Sequence, residues 1–403
     1  MIENFISIYR RLLKDTNYTT HRYLYDRFHI KDRLTGLIGP RGTGKTTLLL
    51  QFIKEKMENK DECIYVSLDN IYFSRELLFD FVRVCYEEYG IRYFFLDEVH
   101  KYPTWSRELK NIYDSYPEVK VVFSGSSGMD LVMGTYDLSR RRTLFHLNGM
   151  SFREYLLFNG IFYTDPFPLE EILKYRGILE DGIASVNKLK GHFKDYLRYG
   201  FYPFFMEGKE SYHRKLLRIV DKIIYEDIPH FYRLNTENLI AFRKILSFLS
   251  TIPPGELSKN SISKNIGIDV KTVKYYLNIL KETGLVELVE TGKKGGAMLR
   301  SREKIFLKNP NLYYAMGNAL GKAVEIGTVR EIFFVRMLKN AGINVFFSKV
   351  GDFETSGYFF EIGGRSKNKR QFKGKNINSF LVKDDILYGT KDEIPLYLFG
   401  FLY

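Results

Sequence analysis

The eight residues Gly39-Pro40-Arg41-Gly42-Thr43-Gly44-Lys45-Thr46 limit what this chain can fold into more than any other stretch. They satisfy the spacing G-x-x-x-x-G-K-T, in which glycines let the backbone bend until several N–H groups point at one anion. The flanks supply the context that such a loop needs. Apolar Leu34–Ile38 reads as a short buried strand, and Thr47–Ile53 reads as a helix whose positive N-terminal end faces the loop. The product is a cradle for the phosphates of a nucleotide, lined from Gly39 to Thr47. Lys45 reaches the β- and γ-phosphates as a point charge, and the Thr46 hydroxyl ligates Mg2+. A glycine-rich turn that only happens to contain Lys-Thr is the competing reading, and the strand and helix on either side argue against it.

Between Leu34 and Leu147 apolar runs alternate with helical periods: Cys63–Leu68, Tyr93–Leu96, Val119–Ser124 and Leu144–Leu147. Such alternation predicts an α/β domain, a parallel sheet covered by helices on both faces. Ahead of it, Ile2, Phe5, Ile6, Tyr9, Leu12 and Leu13 share one helical face, so Ile2–Leu13 is expected to pack on that domain. The Tyr93 run ends in Asp97-Glu98, which puts two carboxylates at the carboxyl edge of a buried strand, where open parallel sheets bind ligands. Two adjacent carboxylates allow a Walker B division of labour. Asp97 holds Mg2+ through its water shell, and Glu98 orients and polarises the attacking water. The next strand ends in Ser124-Gly-Ser126-Ser127 at the same edge. A hydroxyl of Ser124 or Ser126 would sense the terminal phosphate or hold the lytic water, unless it belongs to a plain Ser/Gly turn. Ser139-Arg140-Arg141-Arg142 precedes the last strand, and Arg141 is the candidate arginine finger, in cis or for a neighbouring subunit, against a solvated basic turn or a phosphate contact of another kind.

Together, Gly39–Thr46, Asp97-Glu98 with the following Val-His-Lys, the Phe-Ser-Gly-Ser-Ser strand, the Arg-Arg turn and Met150-Ser-Phe-Arg-Glu-Tyr155 resemble a prokaryotic group of AAA+ ATPases. In that group an N-terminal ATPase precedes a C-terminal region of unknown function. The resemblance covers nearly the whole chain and implies ATP as the nucleotide. Arg141 matches the second residue of a Gly-Arg pair common in the group, with Arg140 standing in the place of the glycine. Members are also similar to signal-transducing ATPases that hold nucleotide as a switch and turn it over slowly.

The expected architecture is therefore an α/β P-loop core of the AAA+ type (1–150), a helical lid (151–238), a winged helix (239–310) and a small α/β nuclease-like domain (311–403). Ser151 and Glu154 form a capping box at the start of the lid, Tyr199–Phe205 reads as a packing turn, and Glu226-Asp227 face either the nucleotide or solvent, with solvent the default expectation for such charges. In 260–286 a helix, a tight turn at Gly267 and a second helix capped by Asp269 have helix-turn-helix spacing. The second helix displays Lys271, Thr272, Lys274 and Tyr275 near its start, where a recognition helix meets double-stranded DNA. Leu285–Glu290, the turn Gly292–Gly296 and Lys304–Leu307 would form the wing, bringing Lys293, Lys294, Arg300 and Arg302 to phosphate. Such modules also serve to pack proteins together, and that reading stays open.

From Leu320 onward the order helix–strand–strand–basic turn–strand–strand, with Glu331, Asp352 and Glu361, resembles the restriction-endonuclease-like core, whose Asp and Glu-x-Lys hold a divalent metal. The lysine position is occupied by Gly363, and the nearest cations are Arg365 and Lys367. A fold that has lost its metal chemistry is the expectation. The basic stretch Arg365, Lys367, Lys369, Arg370, Lys373 and Lys375 either tracks phosphates or is solvated, and the apolar run Ile394–Tyr403 is expected to be a buried final strand.

Charge and composition bound the remaining choices. A net charge of +13 points to a polyanionic partner, although lysines also serve solubility. Two cysteines, Cys63 and Cys85, lie in apolar stretches without metal-ligand spacing and read as reduced core residues of a cytoplasmic protein. No run of about eighteen uncharged apolar residues occurs, so no membrane partner is expected. An ATP-dependent, DNA-associated switch is the first reading. A nucleotide-gated protein scaffold, working with a protein partner or by self-association, is the second, and a metal-dependent nuclease the third.

Overall fold

The five apolar runs expected as strands between Leu34 and Leu147 all pair into one sheet in the computed structural model. They are β1 (Leu34–Ile38), β2 (Cys63–Ser67), β3 (Tyr93–Asp97), β4 (Lys120–Gly125) and β5 (Thr143–His146). Their order is β2-β3-β4-β1-β5 and every pairing is parallel, so all five carboxyl ends lie at one edge. Helices α1 (Ile2–Asp15), α2 (Lys45–Lys56), α3 (Leu78–Tyr89) and α4 (Trp105–Ser115) cover it. The period of two divides the strands between two cores. Leu37, Phe95 and Val122 join Tyr9, Leu13, Leu48, Leu49, Phe52 and Ile53 on one face, whereas the Phe123 ring lies 6.0 Å from that of Trp105 on the other. Gly36 is required by this packing, since a Cβ there would fall 2.5 Å from Leu144 and 2.6 Å from Phe123. Cys63 and Cys85 are free and buried, and burial pushes both thiols up to about 12.

The described residues are 2–126, 141–232, 234–254, 257–292, 303–368, 372 and 378–403. They form two compact units, Met1–Asn148 and Gly149–Tyr403. Arg140, Lys293, Lys294, Arg300, Arg302, Lys369, Arg370, Lys373 and Lys375 lie outside the described residues. Among the described residues no helix is long and apolar enough to cross a membrane.

The second unit opens with α5 (Phe152–Phe158), α6 (Leu169–Lys174), α7 (Arg176–Ala184), α8 (Leu189–Tyr199), α9 (Tyr212–Lys222) and α10 (Ile228–Phe231). The Ser151/Glu154 capping box starts α5, with reciprocal hydrogen bonds of 3.0 and 3.1 Å. The Tyr199–Phe205 segment is a packing turn: the Phe201 N–H donates to the buried Asn311 side chain at 2.8 Å. One expectation fails close by. A turn of π-helix, Ile223–Asp227, breaks the 3.6-residue period, so Glu226 is exposed but Asp227 is buried.

Next come α11 (Thr236–Leu249), α12 (Lys259–Ile266), α13 (Val270–Glu282) and an antiparallel pair, β6 (Val286–Glu290) with β7 (Glu303–Leu307). Gly267 ends α12 at φ 77°, and the Asp269 side chain caps α13 by accepting from Lys271 N (2.8 Å) and Thr272 N (3.0 Å). After α14 (Pro310–Ala319) and α15 (Ile326–Asn340), a second sheet is built from β8 (Phe346–Phe347), β9 (Phe353–Thr355), β10 (Tyr358–Gly363), β11 (Ser379–Lys383) and β12 (Glu393–Pro395). Its order is β12-β11-β10-β9-β8, parallel from β12 to β10 and antiparallel beyond.

The final run is not the strand expected. Only Glu393–Pro395 pairs, and Leu396–Phe401 coils into a buried 3-10 helix. Pro395 has no N–H to extend the ladder, and an unbroken apolar run carries no period by which strand and helix can be told apart. Gly400 sits so close to α5 that a Cβ would lie 2.5 Å from Phe152 Cβ, and Arg153 Nε donates to the Tyr403 carbonyl at 3.0 Å.

Candidate functional site

The loop after β1 has the backbone that its glycines predict. Gly42 and Gly44 stand at φ 80° and 91°, and a Cβ on Gly39 would lie 2.2 Å from the Leu147 carbonyl oxygen. Gly44 then starts α2 with no side-chain cap, which leaves the first-turn N–H groups of that helix to a ligand. Lys45 is buried, its Nζ donating to Gly39 O at 2.9 Å and Pro40 O at 3.1 Å. Thr43 Oγ1 donates to the same Pro40 carbonyl at 2.8 Å. Thr47 follows in the first turn of the helix.

Asp97, at the carboxyl end of β3, is 2 % exposed and meets four donors. Its Oδ2 accepts from Thr46 Oγ1 and Tyr65 OH, both at 2.6 Å. Its Oδ1 accepts from the Ser124 hydroxyl and, at 3.1 Å, from Glu98 N–H. All four donors are neutral, so they fix the carboxylate's direction without cancelling its charge. Thr46 and Asp97, two hard oxygen donors in direct contact, fit the pair that would serve Mg2+. Burial and the Asp97 carboxylate together push the Tyr65 phenol far up, which keeps it a donor at any physiological pH.

Glu98 stands at φ 54°, a left-handed backbone that costs a side chain about 1 kcal/mol or more. Its N–H is shared with Ser124 Oγ at 3.2 Å. Its Oε2 lies 3.3 Å from Nε2 of the fully buried His100, and that ring nitrogen is 3.5 Å from Arg41 Nη2 of the loop. The expected base is thereby linked through His100 to the phosphate loop.

The other residues of the first unit separate. Ser124 is in the cluster as a donor to Asp97, and Ser126 is buried just beyond it. Arg141 is at the opposite edge: it precedes β5, whose Thr143 pairs with Thr35 near the start of β1, whereas the loop follows the end of β1. Four residues of strand, roughly 13 Å, intervene. Arg141 pairs there with Asp114 at 2.7 Å, over the Tyr113 ring.

In the second unit Val273, Tyr276, Leu277 and Leu280 bury one face of α13, which leaves Lys271, Lys274 and Tyr275 exposed together. The Thr272 hydroxyl is taken by the Asp269 cap. The strand pair expected as a wing is tied inward. Glu287 of β6 is buried and accepts from Lys308 (2.7 Å), Arg336 (2.9 Å) and Lys339, and these cations hold its carboxyl far below the usual range against the cost of burial.

Glu331, Asp352 and Glu361 do come into one neighbourhood, but two lysines come with them. Lys304 Nζ lies 2.8 Å from Glu331 Oε2 and 3.6 Å from Asp352 Oδ1, and Lys367 Nζ lies 2.5 Å from Glu361 Oε1. Burial and the neighbouring carboxylates raise the Glu331 and Glu361 carboxyls above their ordinary range, with the lysines opposing. Among the described residues no three His, Cys, Asp or Glu side chains converge as a metal-ligand set.

Three partners of the nucleotide loop escaped the sequence reading. Tyr65 reaches Asp97 from the neighbouring strand, where only sheet register brings it near. His100 was visible in Asp-Glu-Val-His but carried no signal of its own. Arg22 is buried and donates to the carbonyls of Thr43 and, at 2.7 Å, Asn148.

Residues 31–156 match the model of a family described as AAA domain, and residues 190–323 match a domain of unknown function, DUF8612. No curated protein matches the chain. Among solved structures, AMPPCP-bound DnaA from Aquifex aeolicus is similar at 17% identity, over 69% of this chain and 88% of that one, with a TM-score of 0.28. The ADP complex of Hsp104 from S. cerevisiae is similar at 12%, over 69% and 39%, with a TM-score of 0.26. PCH-2 from C. elegans follows at 14%, over 68% of each chain, with a TM-score of 0.25. The strand order β2-β3-β4-β1-β5, all parallel, agrees with the family match.

Proposed function

We propose that this chain, whose residues 31–156 match the model of a family described as AAA domain, binds ATP on the Gly39–Thr46 loop, hydrolyses it slowly, and uses the nucleotide to control how its C-terminal half meets double-stranded DNA. The observation that carries the ATPase reading is Asp97, buried at the strand end and held by four neutral donors, one of them Thr46. Mg2+ held by Thr46 and Asp97 would offset phosphate charge. Lys45 and the loop N–H groups bind and orient the phosphates, Glu98 takes up the proton of the attacking water, and Ser124 fixes Asp97 and the Glu98 backbone. Slow turnover is supported by the 3.3 Å contact that engages Glu98 Oε2 with His100. Arg141, at the far edge of its own sheet, would serve a neighbouring copy, and the specific rate should then rise with protein concentration in the wild type but not in Arg141→Ala.

DNA contact is assigned to the exposed face of α13, and the 239–310 segment is read as a winged helix whose hairpin packs inward. The buried Glu287 cluster favours a second reading, a nucleotide-gated scaffold in which this segment is a packing module. Reversing Lys271 and Lys274 to Glu discriminates between them. DNA contact predicts a folded variant with weaker duplex affinity and a salt slope lower by about two. The scaffold predicts disturbed folding or assembly.

The experiment for the whole reading is steady-state ATP hydrolysis by wild type and Glu98→Gln, with and without duplex DNA, at low and moderate salt. Stimulation that weakens with salt and disappears in Glu98→Gln is expected. Hydrolysis indifferent to DNA would transfer the assignment to the scaffold, and no hydrolysis would remove the enzyme reading.

A further inference from the structure

The carboxylates of the second unit lie where a nuclease-like fold implies a divalent metal, and the chain has put its own cations among them. Lys304 comes from β7, the hairpin strand, and its stem is buried. Besides Glu331 and Asp352, its ammonium faces the rings of Phe347 (5.1 Å) and Phe353 (4.9 Å), so carboxylates and aromatic faces enclose one positive charge. Asp352 is itself fixed, its Oδ2 accepting from Ile362 N–H at 2.8 Å.

Lys367 fills the second place. The motif lysine would project from position 363, where this chain has glycine, and a Cβ there would fall 2.6 Å from both Cβ and Cγ of Lys367. The lysine four residues on thus lays its stem over Gly363 and brings its ammonium to Glu361. Glu361 is fully buried, and its Oε2 has no hydrogen-bond partner among the described residues.

We propose that Glu331 and Asp352 form a cation site whose resident cation is the Lys304 ammonium, with Glu361 beside them countered by Lys367. A divalent metal does not fit while Lys304 is in place, because the ammonium lies between the two carboxylates that would have to bind it. The cluster then works as an ionic clasp between the β6–β7 hairpin and the C-terminal sheet, and metal-dependent cleavage is closed to it.

Mn2+ binding and thermal unfolding test this on the full chain without nucleotide, by electron paramagnetic resonance titration of free Mn2+ and by Tm. The wild type and Lys304→Arg should show no Mn2+ site that Glu331→Gln/Asp352→Asn removes. Lys304→Met should unfold at lower temperature than wild type, gain a Mn2+ site, and rise by about 5–10 °C at a hundredfold excess over its Kd. Both gains should be absent when Glu331→Gln/Asp352→Asn is added. Lys304→Gln, which keeps a polar head, gives the same readout should the Met variant not fold. A wild-type Mn2+ site that the carboxylate changes abolish would overturn the proposal, as would folded Lys304→Met or Lys304→Gln protein that gains no affinity for Mn2+.

Discussion

Asp97 and the Glu331–Asp352–Glu361 group are both carboxylate sites inside sheet proteins, and they are satisfied in opposite ways. Asp97 receives hydroxyls from Thr46, Tyr65 and Ser124 and one backbone N–H, all neutral. The second group receives two ammonium ions. Hydrogen bonds from neutral donors orient a carboxylate and leave its field available to a cation, whereas a lysine at hydrogen-bond distance spends that field within the protein. The first arrangement suits a site that has to bind something charged, and the second a site that holds two parts of one fold together.

The sharpest test of the contrast is chemical. Glu98→Gln should lower ATP turnover by about 10²–10⁴-fold while nucleotide binding is retained, because it removes only the proposed proton acceptor. Glu361→Gln should leave turnover unchanged. Measured kcat and nucleotide Kd for the two variants decide this, and equal turnover in Glu98→Gln and wild type would remove the difference in kind between the two sites.

A smaller effect is expected from the donors themselves. Ser124→Ala and Tyr65→Phe each take one hydroxyl from a buried carboxylate and should each cost about 1–3 kcal/mol of unfolding free energy. Chemical denaturation measures the loss directly. Because the two hydroxyls act on different oxygens of Asp97, the double variant tests whether they form one network: additive losses would mean two independent supports.

What could be read from the sequence follows the same division. The phosphate loop and Asp97-Glu98 were legible because each is a run of adjacent residues whose strand context is local. Ser124 and Thr46 were named for the right edge of the sheet but not for their contact with Asp97, which depends on register. Tyr65, His100 and Arg22 carry no pattern, being recruited by the pairing of β2 with β3 and by the turns around the loop. In the second unit the carboxylates were found by spacing, yet Lys304 lies in a hairpin strand twenty-seven positions before Glu331, and only tertiary packing reveals it. Lys367 was noted as a nearby cation, and the space that Gly363 leaves for its stem is a fact of volume that no spacing rule contains. The 3-10 helix Leu396–Phe401 escaped because a segment apolar on every side has no face to betray its period.

The smallest predicted effect asks how completely the lysines compensate their carboxylates. Burial raises the Glu361 carboxyl above its ordinary value of 4.5, with Lys367 opposing and Asp352 adding to the rise. For a folded-state value above the unfolded one, the folded protein holds the extra proton between the two, so the contribution to stability is full below about 4.5 and is lost as pH rises through the higher value. Glu361→Gln, which cannot ionise, should therefore gain on wild type as pH is raised from the ordinary carboxylate range towards neutrality, by no more than about 1.4 kcal/mol per pH unit. Tm profiles of the two proteins in matched buffers give the difference, in which carboxylates outside the cluster cancel and the relaxation of Glu331, itself raised by the Glu361 charge, adds to the gain. A difference that does not change with pH would mean that Lys367 compensates Glu361 fully.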